Sequence, residues 1–208
     1  MPDSSNSASG SDPATIQAAA RILAGGGVIV YPTETLYGLG ADASNEVALE
    51  RLVELKGREA GKPIAVLVSD TEMLEGVVEE VSTAAADLMR RFWPGPLTIV
   101  LRARPTVSHW LTGGGDSIGV RVSSHPTAMA LVRALGRPLT APSANPAGLR
   151  PPTRLDEARA YFGSRVDCYV DGGGLPGEPA STVVDARGEL RVIRDGAVPA
   201  HLLMRQAV

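Results

Sequence analysis

Basic residues are concentrated in one eight-residue stretch, Lys56 to Pro63, directly after a segment with helical periodicity. Arg58 can bind two phosphate oxygens at once, and Lys56 and Lys62 supply point charges beside it. This combination indicates a polyphosphate site, although basic residues at a helix C-terminus are also ordinary partners of the helix dipole. The glycine spacing is one residue short of a P-loop, and Pro63 stands where the magnesium-binding hydroxyl is required.

A second glycine-rich stretch, Gly172 to Gly177, matches the G-x-G-x-x-G spacing of dinucleotide-binding proteins. That fingerprint requires a helix N-terminus to receive the pyrophosphate. Here Pro176 and Pro179 surround the end of the motif, and the strand-like segment STVVD follows it. These neighbours argue against a Rossmann site and leave two interpretations, a mobile loop over a cleft or a plain surface loop.

The composition is typical of a globular protein and argues against a general nucleic-acid binder. The 208 residues are 44% hydrophobic, which is enough to bury a proper core. A net charge of -3 and an aromatic content of 4% argue against a general nucleic-acid binder, which needs a basic surface and stacking residues. We expect residues 1–11 to be a disordered tail and residues 12–208 to form a single domain.

The cysteine and histidine content limits which cellular compartment and which metal sites are expected. The single cysteine, Cys168, excludes an intramolecular disulfide and suits a reducing cytoplasm. No pair among the three histidines has a metal-ligand spacing, so a structural zinc site is not expected. No apolar run approaches the ~18 residues of a membrane span, and the N-terminus lacks signal-peptide character. The predicted location is the cytoplasm.

Hydrophobic periodicity predicts the elements that must hold these loops. Helices are predicted at 13–24, 45–56, 82–92, 126–135 and from 199 onward, with a further one after a capping box of Ser69 and Glu72. Strands are predicted at 28–31, 64–68, 117–122, 138–141, 167–171, 181–185 and 190–194, and residues 93–101 are predicted as a turn that leads into a strand. Helices and strands alternate, but the last strands run consecutively. The predicted fold class is α/β (α+β), with one twisted mixed parallel and antiparallel sheet flanked by helices.

Six stretches, in this order along the chain, resemble the YrdC-type threonylcarbamoyl-AMP synthases: VIVYPTETLYGLGAD, KGREAGKP, FWPGPLTIVL, GVRVSSHP, TAPSANPAG, and STVVD followed by VIRDG. The similarity extends from Ala14 to Val198. The related YciO-type proteins differ at a Lys-x-Arg pair and a Ser-x-Asn pair, and both pairs are present here. The resemblance implies a YrdC-like fold with a concave active-site cleft, in the short single-domain form.

In such families L-threonine and bicarbonate give a carbamate, which attacks the α-phosphate of ATP and expels pyrophosphate. The resemblance implies this nucleotidyltransferase activity, Mg²⁺ on the phosphates, and transfer of the product to a tRNA threonylcarbamoyl transferase complex for tRNA modification. Displacement at phosphorus is catalysed mostly by positioning and charge neutralisation, so a cationic clamp is expected. The alternative is a non-enzymatic double-stranded RNA-binding or ribosome-maturation factor that uses the same basic cleft.

The resemblance also assigns roles to individual residues of this chain. The expected catalytic residues are Lys56, Arg58, Ser143 and Asn145. The expected ATP-binding residues are Lys56, Arg58, Lys62, Asn145, Thr153 and Arg194. The expected threonine-binding residues are Thr33, Thr35, Arg121, Ser143 and Ser181. Some have a plainer interpretation, since Thr33 could cap a turn and Arg194 could be a surface charge.

Several residues depart from the family pattern or have no assigned role. Glu59 stands in the basic stretch where the family commonly has proline, and it places a carboxylate beside the proposed phosphate clamp. Leu67 stands where some members have a histidine that lines the amino-acid pocket. No general base or metal ligand is assigned. Glu34, Asp116 and Asp171 are candidates for magnesium binding or proton transfer, and each is also compatible with a structural role.

Replacing Arg58 with lysine tests whether the basic stretch grips phosphate or only attracts it. Arg58→Lys keeps the charge but loses the planar fork, so a gripping arginine loses a charge-assisted hydrogen bond of roughly 1.5 to 3 kcal/mol. We expect kcat/KM for pyrophosphate release to fall about 10- to 150-fold with an unchanged melting temperature. Lys62→Arg controls for general sensitivity of the loop. If Arg58→Lys keeps its activity within about twofold of wild type, the basic stretch acts on phosphate only through its attractive field.

Overall fold

A computed structural model describes residues 12–57, 61–177 and 179–204. Arg58 and Glu59 lie outside these ranges, as does the predicted tail at 1–11. The helices in the described part are α1 Pro13–Ala24, α2 Glu46–Lys56, α3 Thr71–Glu75, α4 Thr83–Phe92, α5 His109–Thr112, α6 Pro126–Leu135, α7 Leu155–Phe162 and α8 Ala200–Leu203. The strands are β1 Ile29–Pro32, β2 Tyr37–Gly40, β3 Val66–Leu67, β4 Leu97–Arg102, β5 Ser117–Arg121, β6 Leu139–Thr140, β7 Cys168–Tyr169, β8 Thr182–Asp185 and β9 Arg191–Arg194.

The strands form two mixed sheets flanked by helices, which confirms the predicted fold class. The strand order is β2-β1-β7 in the smaller sheet and β6-β3-β5-β4-β8-β9 in the larger one. The pairs β1/β7, β3/β5 and β4/β8 are parallel, and the remaining pairs are antiparallel. The single predicted sheet is therefore divided in two.

The helices begin where local signals place them, with one correction. The Asp12 carboxylate accepts a hydrogen bond from the Thr15 backbone N–H at 3.1 Å, and Pro13 occupies the first turn of α1. The Asn45 side chain caps α2 in the same way. The cap of α3 is Asp70, whose carboxylate accepts from the Met73 N–H, so the predicted box with Ser69 as cap is wrong. An aspartate one residue later provides the stronger local acceptor.

Two elements near the later site were absent from the prediction, β2 and α7. Strand β2 contains Gly38 and Gly40, which are poor strand formers because they contribute no side chain to packing. The ring of Tyr31 on neighbouring β1 fills that space, and a Cβ on Gly40 would lie 2.9 Å from it. Helix α7 buries Ala158 and Phe162, one turn apart on the same face.

Two apolar clusters stabilise this arrangement. One joins α2 and α4 to the strands of both sheets, through residues such as Leu49, Leu88 and Ile99. The other packs α1 against α6 and β1, and contains Leu23 and Leu131. No helix in the described part of the chain is long and apolar enough to cross a membrane.

A seam of hydrogen bonds joins the two sheets. The free edge of β2 pairs with β6 and the loop after it: the Leu39 N–H donates to the Pro142 carbonyl at 2.8 Å, and the Ala144 N–H donates to the Tyr37 carbonyl at 2.8 Å. Gly38 and Ser143 form an antiparallel bridge at the centre of the seam. The loop predicted to carry Ser143 and Asn145 is thereby built as an extension of the smaller sheet.

His125, at the N-terminus of α6, should make stability depend on pH. Its Nδ1 is buried without a hydrogen-bond partner in the described part of the chain. Desolvation lowers the pKa of the imidazole, and the nearby Glu34 charge only partly opposes that effect. The unfolded chain therefore binds a proton more readily than the folded chain does. Stability should fall as the pH drops through the ordinary imidazole value of about 6.5.

We expect His125→Gln to remove part of this acid sensitivity. The measurement is urea unfolding of variant and wild type at a pH above and a pH below the ordinary imidazole value. The loss of unfolding free energy between the two pH values should be smaller in the variant. The same exchange at the exposed His201 on α8 is the matched control. An equal loss in His125→Gln and wild type would contradict the assignment.

Candidate active site

A cleft of about 440 Å³ opens where the two sheets meet, a volume in the range of small-molecule sites. Seven of the residues predicted from the sequence line it: Thr33, Thr35, Lys56, Arg121, Ser143, Ser181 and Arg194. Lys62, Asn145 and Thr153 are not among its lining residues in the described part of the chain. The structure therefore brings together most of the predicted set, from both sheets.

The larger sheet supplies the floor of the cleft. Alternate residues of a strand face the same side, so Thr98 and Val100 of β4 lie beside Gly119 and Arg121 of β5. Gly119 has no side chain and leaves this floor open. A Cβ there would be crowded, because it would lie 3.1 Å from the Thr98 methyl group and 3.2 Å from Ala65. The strands therefore present a small-residue surface with one long cation at its end.

Arg121 is the cation at that end, and it is nearly sealed from solvent. It is 4% exposed, and its Nη1 lies 3.9 Å from Oε1 of Glu34. The guanidinium makes no hydrogen bond to the described residues, and its Nε is buried without a partner. A buried charge without hydrogen bonds is costly, so this side chain is arranged to receive an anion from the cleft.

Arg194 brings a second guanidinium to the same cleft. Its Nε and Nη2 donate to the Ser181 carbonyl at 3.1 and 2.7 Å, and Nη2 also donates to the Ser181 hydroxyl at 3.1 Å. Burial lowers the pKa of Arg194, and the like charge of Arg121 acts in the same direction. Arg194 is exposed, but these hydrogen bonds fix its guanidinium beside Ser181 at the cleft. An anion between the two guanidinium groups would relieve their repulsion.

Lys56 is hydrogen-bonded to the loop after β6 that contains Ser143 and Asn145. It is 5% exposed, and its ammonium group donates to the carbonyls of Ser143 and Asn145 at 2.6 and 2.7 Å. The Ala147 N–H in turn donates to the Lys56 carbonyl at 2.7 Å. Lys56 lines the cleft, but two of its three donor positions hold the loop in shape.

Asn145 points into its own loop, which differs from the expectation of a cleft-facing side chain. Its Nδ2 donates to the carbonyls of Pro146 and Leu149 at 2.9 and 2.7 Å. The side chain is 7% exposed, and Oδ1 is buried without a partner. Ser143, by contrast, lines the cleft, and its hydroxyl makes no hydrogen bond to the described residues.

The Thr33 and Thr35 hydroxyls lie 3.3 Å apart in the turn between β1 and β2. Thr33 Oγ1 donates to the Leu36 carbonyl at 2.7 Å and therefore shapes the turn, as the plainer interpretation predicts. Thr35 Oγ1 has the Thr33 hydroxyl as its hydrogen-bond partner. Thr35 thus retains more capacity for a ligand than Thr33 does.

The glycine-rich stretch Gly172 to Gly177 lies against the rim of the cleft. The Gly177 N–H donates to the Thr35 carbonyl at 2.8 Å, and the Leu175 N–H donates to the Thr153 carbonyl at 2.9 Å. The Tyr37 hydroxyl donates to the Gly173 carbonyl at 2.8 Å and accepts from the Gly172 N–H at 3.0 Å. Burial raises the pKa of Tyr37 to about 12, so the phenol stays a donor. No role was predicted for Tyr37, although it lies within the first family motif.

The remaining sequence candidates lie apart from one another. Asp116 is 61% exposed and pairs with Arg187 at 2.8 Å. Asp171 accepts from the Gly173 N–H at 2.8 Å. Leu67 is fully buried in the apolar cluster around α1 and α6, away from the cleft lining. Lys62 is exposed on the loop beside the cleft-lining Pro63.

Among the described residues, no three His, Cys, Asp or Glu side chains come together as a ligand group for a metal. Glu34, Asp116 and Asp171 therefore do not form a joint magnesium site. A magnesium ion usually keeps several waters and is held through substrate phosphates, which requires no such group.

Comparison with known proteins relates this geometry to a family. The family model Sua5_yciO_yrdC, described as telomere recombination, matches residues 21–196. The threonylcarbamoyl-AMP synthase of Pyrococcus abyssi (strain GE5 / Orsay) is 40% identical over 170 residues, which are 82% of this chain and 50% of that protein. The protein of the same name from Nitrosococcus oceani is 40% identical over 187 residues, which are 90% of this chain and 96% of that protein.

A solved structure shares the arrangement of both sheets. The crystal structure of P. abyssi Sua5 complexed with L-threonine has a TM-score of 0.89 at 37% identity, and the match covers 92% of this chain and 57% of that chain. The chain thus spans about half the length of the Pyrococcus relative and nearly all of the Nitrosococcus relative.

Paired substitutions in the loop after β6 should separate its two polar side chains. Asn145→Ala loses two buried hydrogen bonds, so we expect the free energy of unfolding to fall by about 1 to 3 kcal/mol. Ser143→Ala loses no internal hydrogen bond and should change it by less than about 0.5 kcal/mol. Urea unfolding of both variants checks this. Equal stability of the two variants would show that the Asn145 amide does not hold the loop.

Proposed function

Because this chain belongs to the Sua5–YciO–YrdC family, we propose that it forms L-threonylcarbamoyl-AMP and pyrophosphate from L-threonine, bicarbonate and ATP. Membership confirms the family resemblance predicted from the six ordered motifs. The relatives are named threonylcarbamoyl-AMP synthase, and one related structure contains L-threonine. These names favour an enzyme over the non-enzymatic RNA-binding alternative.

The observation that supports the proposal most directly is the buried guanidinium of Arg121 beside the hydrogen-bonded guanidinium of Arg194, in a cleft lined with hydroxyls. Arg121 and Arg194 repel each other, and the lining contains Thr33, Thr35 and Ser143. An amino acid brings a carboxylate, and ATP brings a triphosphate. A cleft with cations from the larger sheet and from the end of α2 suits two anionic substrates that must meet.

The residues divide between the two substrates. We assign Arg121 and the Thr33–Thr35 turn to the carboxylate and hydroxyl of threonine, with Ser181 beside them. We assign Lys56, Arg58, Lys62 and Arg194 to the ATP phosphates, with Thr153 at the nucleotide rim. Ser143 would contact the carbamate between the two. Asn145 acts mainly by holding the loop that presents Ser143.

The reaction requires charge neutralisation more than a protein nucleophile. The amine of threonine and bicarbonate combine with loss of water, and a carbamate oxygen then attacks the α-phosphorus while the bond to pyrophosphate breaks. Negative charge accumulates on the phosphate oxygens, where preorganised cations lower the barrier. Mg²⁺ would enter on ATP. We further propose that the chain works in the cytoplasm and passes its product to a tRNA threonylcarbamoyl transferase complex.

Pyrophosphate release tests the proposal. Purified protein with ATP, Mg²⁺, bicarbonate and L-threonine should release pyrophosphate, and omission of threonine or bicarbonate should abolish the release. Ser143→Ala, which should fold normally, should lower the rate. Pyrophosphate that appears equally without threonine would rule out the synthase. Binding of double-stranded RNA with steep salt dependence, together with no threonine requirement, would instead favour the RNA-binding alternative.

A further inference from the structure

Glu34 lies behind the cleft, in the turn between β1 and β2 and between the two site threonines. Its side chain is 13% exposed, and Oε1 is 3.9 Å from Nη1 of Arg121. In the described part of the chain, Glu34 is the ion-pair partner recorded for Arg121. The residue is not among those lining the cleft, and Oε1 is buried without a hydrogen bond. Among the described residues, Arg121 therefore lies between the Glu34 carboxylate and the cleft.

The carboxylate is itself held from the opposite side. Ser123 is fully buried, and its hydroxyl donates a short hydrogen bond to Oε2 of Glu34. The same hydroxyl oxygen accepts from the His125 N–H at 3.1 Å. Ser123 follows β5 by two residues, so one strand supplies both the arginine and the group that fixes its counter-ion. A series of contacts thus runs from the backbone N–H of His125, at the start of α6, through Ser123 and Glu34 to Arg121 at the cleft.

The distance between the two charges decides what Glu34 does. At 3.9 Å the carboxylate compensates the guanidinium charge but makes no direct hydrogen bond with it. A bidentate pair at hydrogen-bond distance would occupy the donors of the arginine. The observed spacing keeps Arg121 charged, oriented and available on the cleft side, where an α-carboxylate can form a two-point contact.

We propose that Glu34 is a positioning residue for amino-acid binding, which holds the Arg121 guanidinium toward the cleft through a carboxylate fixed by Ser123. The inference rests on the proposed function, since it concerns the threonine end of that site. It assigns Glu34 neither a metal nor a proton-transfer step, because its free oxygen is sealed from the cleft.

Glu34→Gln tests the proposal with an almost unchanged shape. The amide keeps a partner for Ser123 but removes the charge that faces Arg121. We expect the Kd for L-threonine to rise about tenfold, the low end of what partners behind a ligating group contribute in metal sites. The Kd for ATP should stay within about twofold, because the residue acts on one end of the cleft. Titration calorimetry measures both, and a melting curve checks the fold.

A double-mutant cycle separates positioning from general damage. Ser123→Ala should weaken threonine binding less than Glu34→Gln does, and the double variant should bind threonine no more weakly than Glu34→Gln alone. Glu50→Gln, which removes an exposed carboxylate from α2, is the matched control and should leave both Kd values unchanged. Equal losses for threonine and ATP, or additive losses in the double variant, would overturn the proposal.

An NMR measurement makes the result independent of the substrate. In protein labelled with ¹⁵N-arginine, the buried Arg121 Nε–H should give a signal protected from exchange, identified by its loss in Arg121→Lys. Glu34→Gln should shift that signal and reduce its protection. If wild type binds no threonine and releases no pyrophosphate, the proposed function fails, and a shifted signal still supports the pairing. An unshifted, equally protected signal overturns the pairing.

Discussion

The seam between β2 and the segment after β6 is the constraint on which the site depends. It consists mainly of backbone hydrogen bonds, so it joins the two sheets without requiring particular side chains at most of its positions. One edge of the smaller sheet is closed by the same contacts, which removes an exposed strand edge. The cleft lies between the β1–β2 turn and the strands of the larger sheet.

Different groups hold the cations of the cleft. Carbonyl groups accept hydrogen bonds from Lys56 and Arg194, whereas a carboxylate compensates Arg121 from behind. Carbonyl oxygens satisfy hydrogen-bond donors without cancelling a full charge. Arg194 therefore stays fixed in position and keeps an attractive field directed into the cleft. Such preorganisation costs stability in the free protein and lowers the reorganisation needed when anions bind.

Local signals explain which parts could be predicted from the sequence. Hydrophobic periodicity located α1, α2 and α6 almost to the residue. The division into two sheets could not be predicted, because it depends on pairing between residues far apart in the chain, such as Ile29 of β1 and Cys168 of β7. Strand β2 was hidden by its glycines, whose partner is a ring on another strand. The inward orientation of Asn145 was equally invisible, since its type suits a loop interior and a cleft alike.

The ring of Tyr31 restricts the substitutions that β2 can accept. A Cβ at Gly38 or Gly40 would meet the Tyr31 ring, so neither position can vary independently of Tyr31. A smaller residue at Tyr31 would make room for a side chain at Gly38, but it would also remove the phenol that donates to the Thr140 carbonyl at 2.9 Å. Gly40 would stay restricted, because a Cβ there also lies 3.1 Å from Cγ1 of Ile29. Substitution within this triplet is thus coupled to the seam itself. In related chains, the residues at Tyr31, Gly38 and Gly40 should therefore vary together. The segment around Thr140 should change with them.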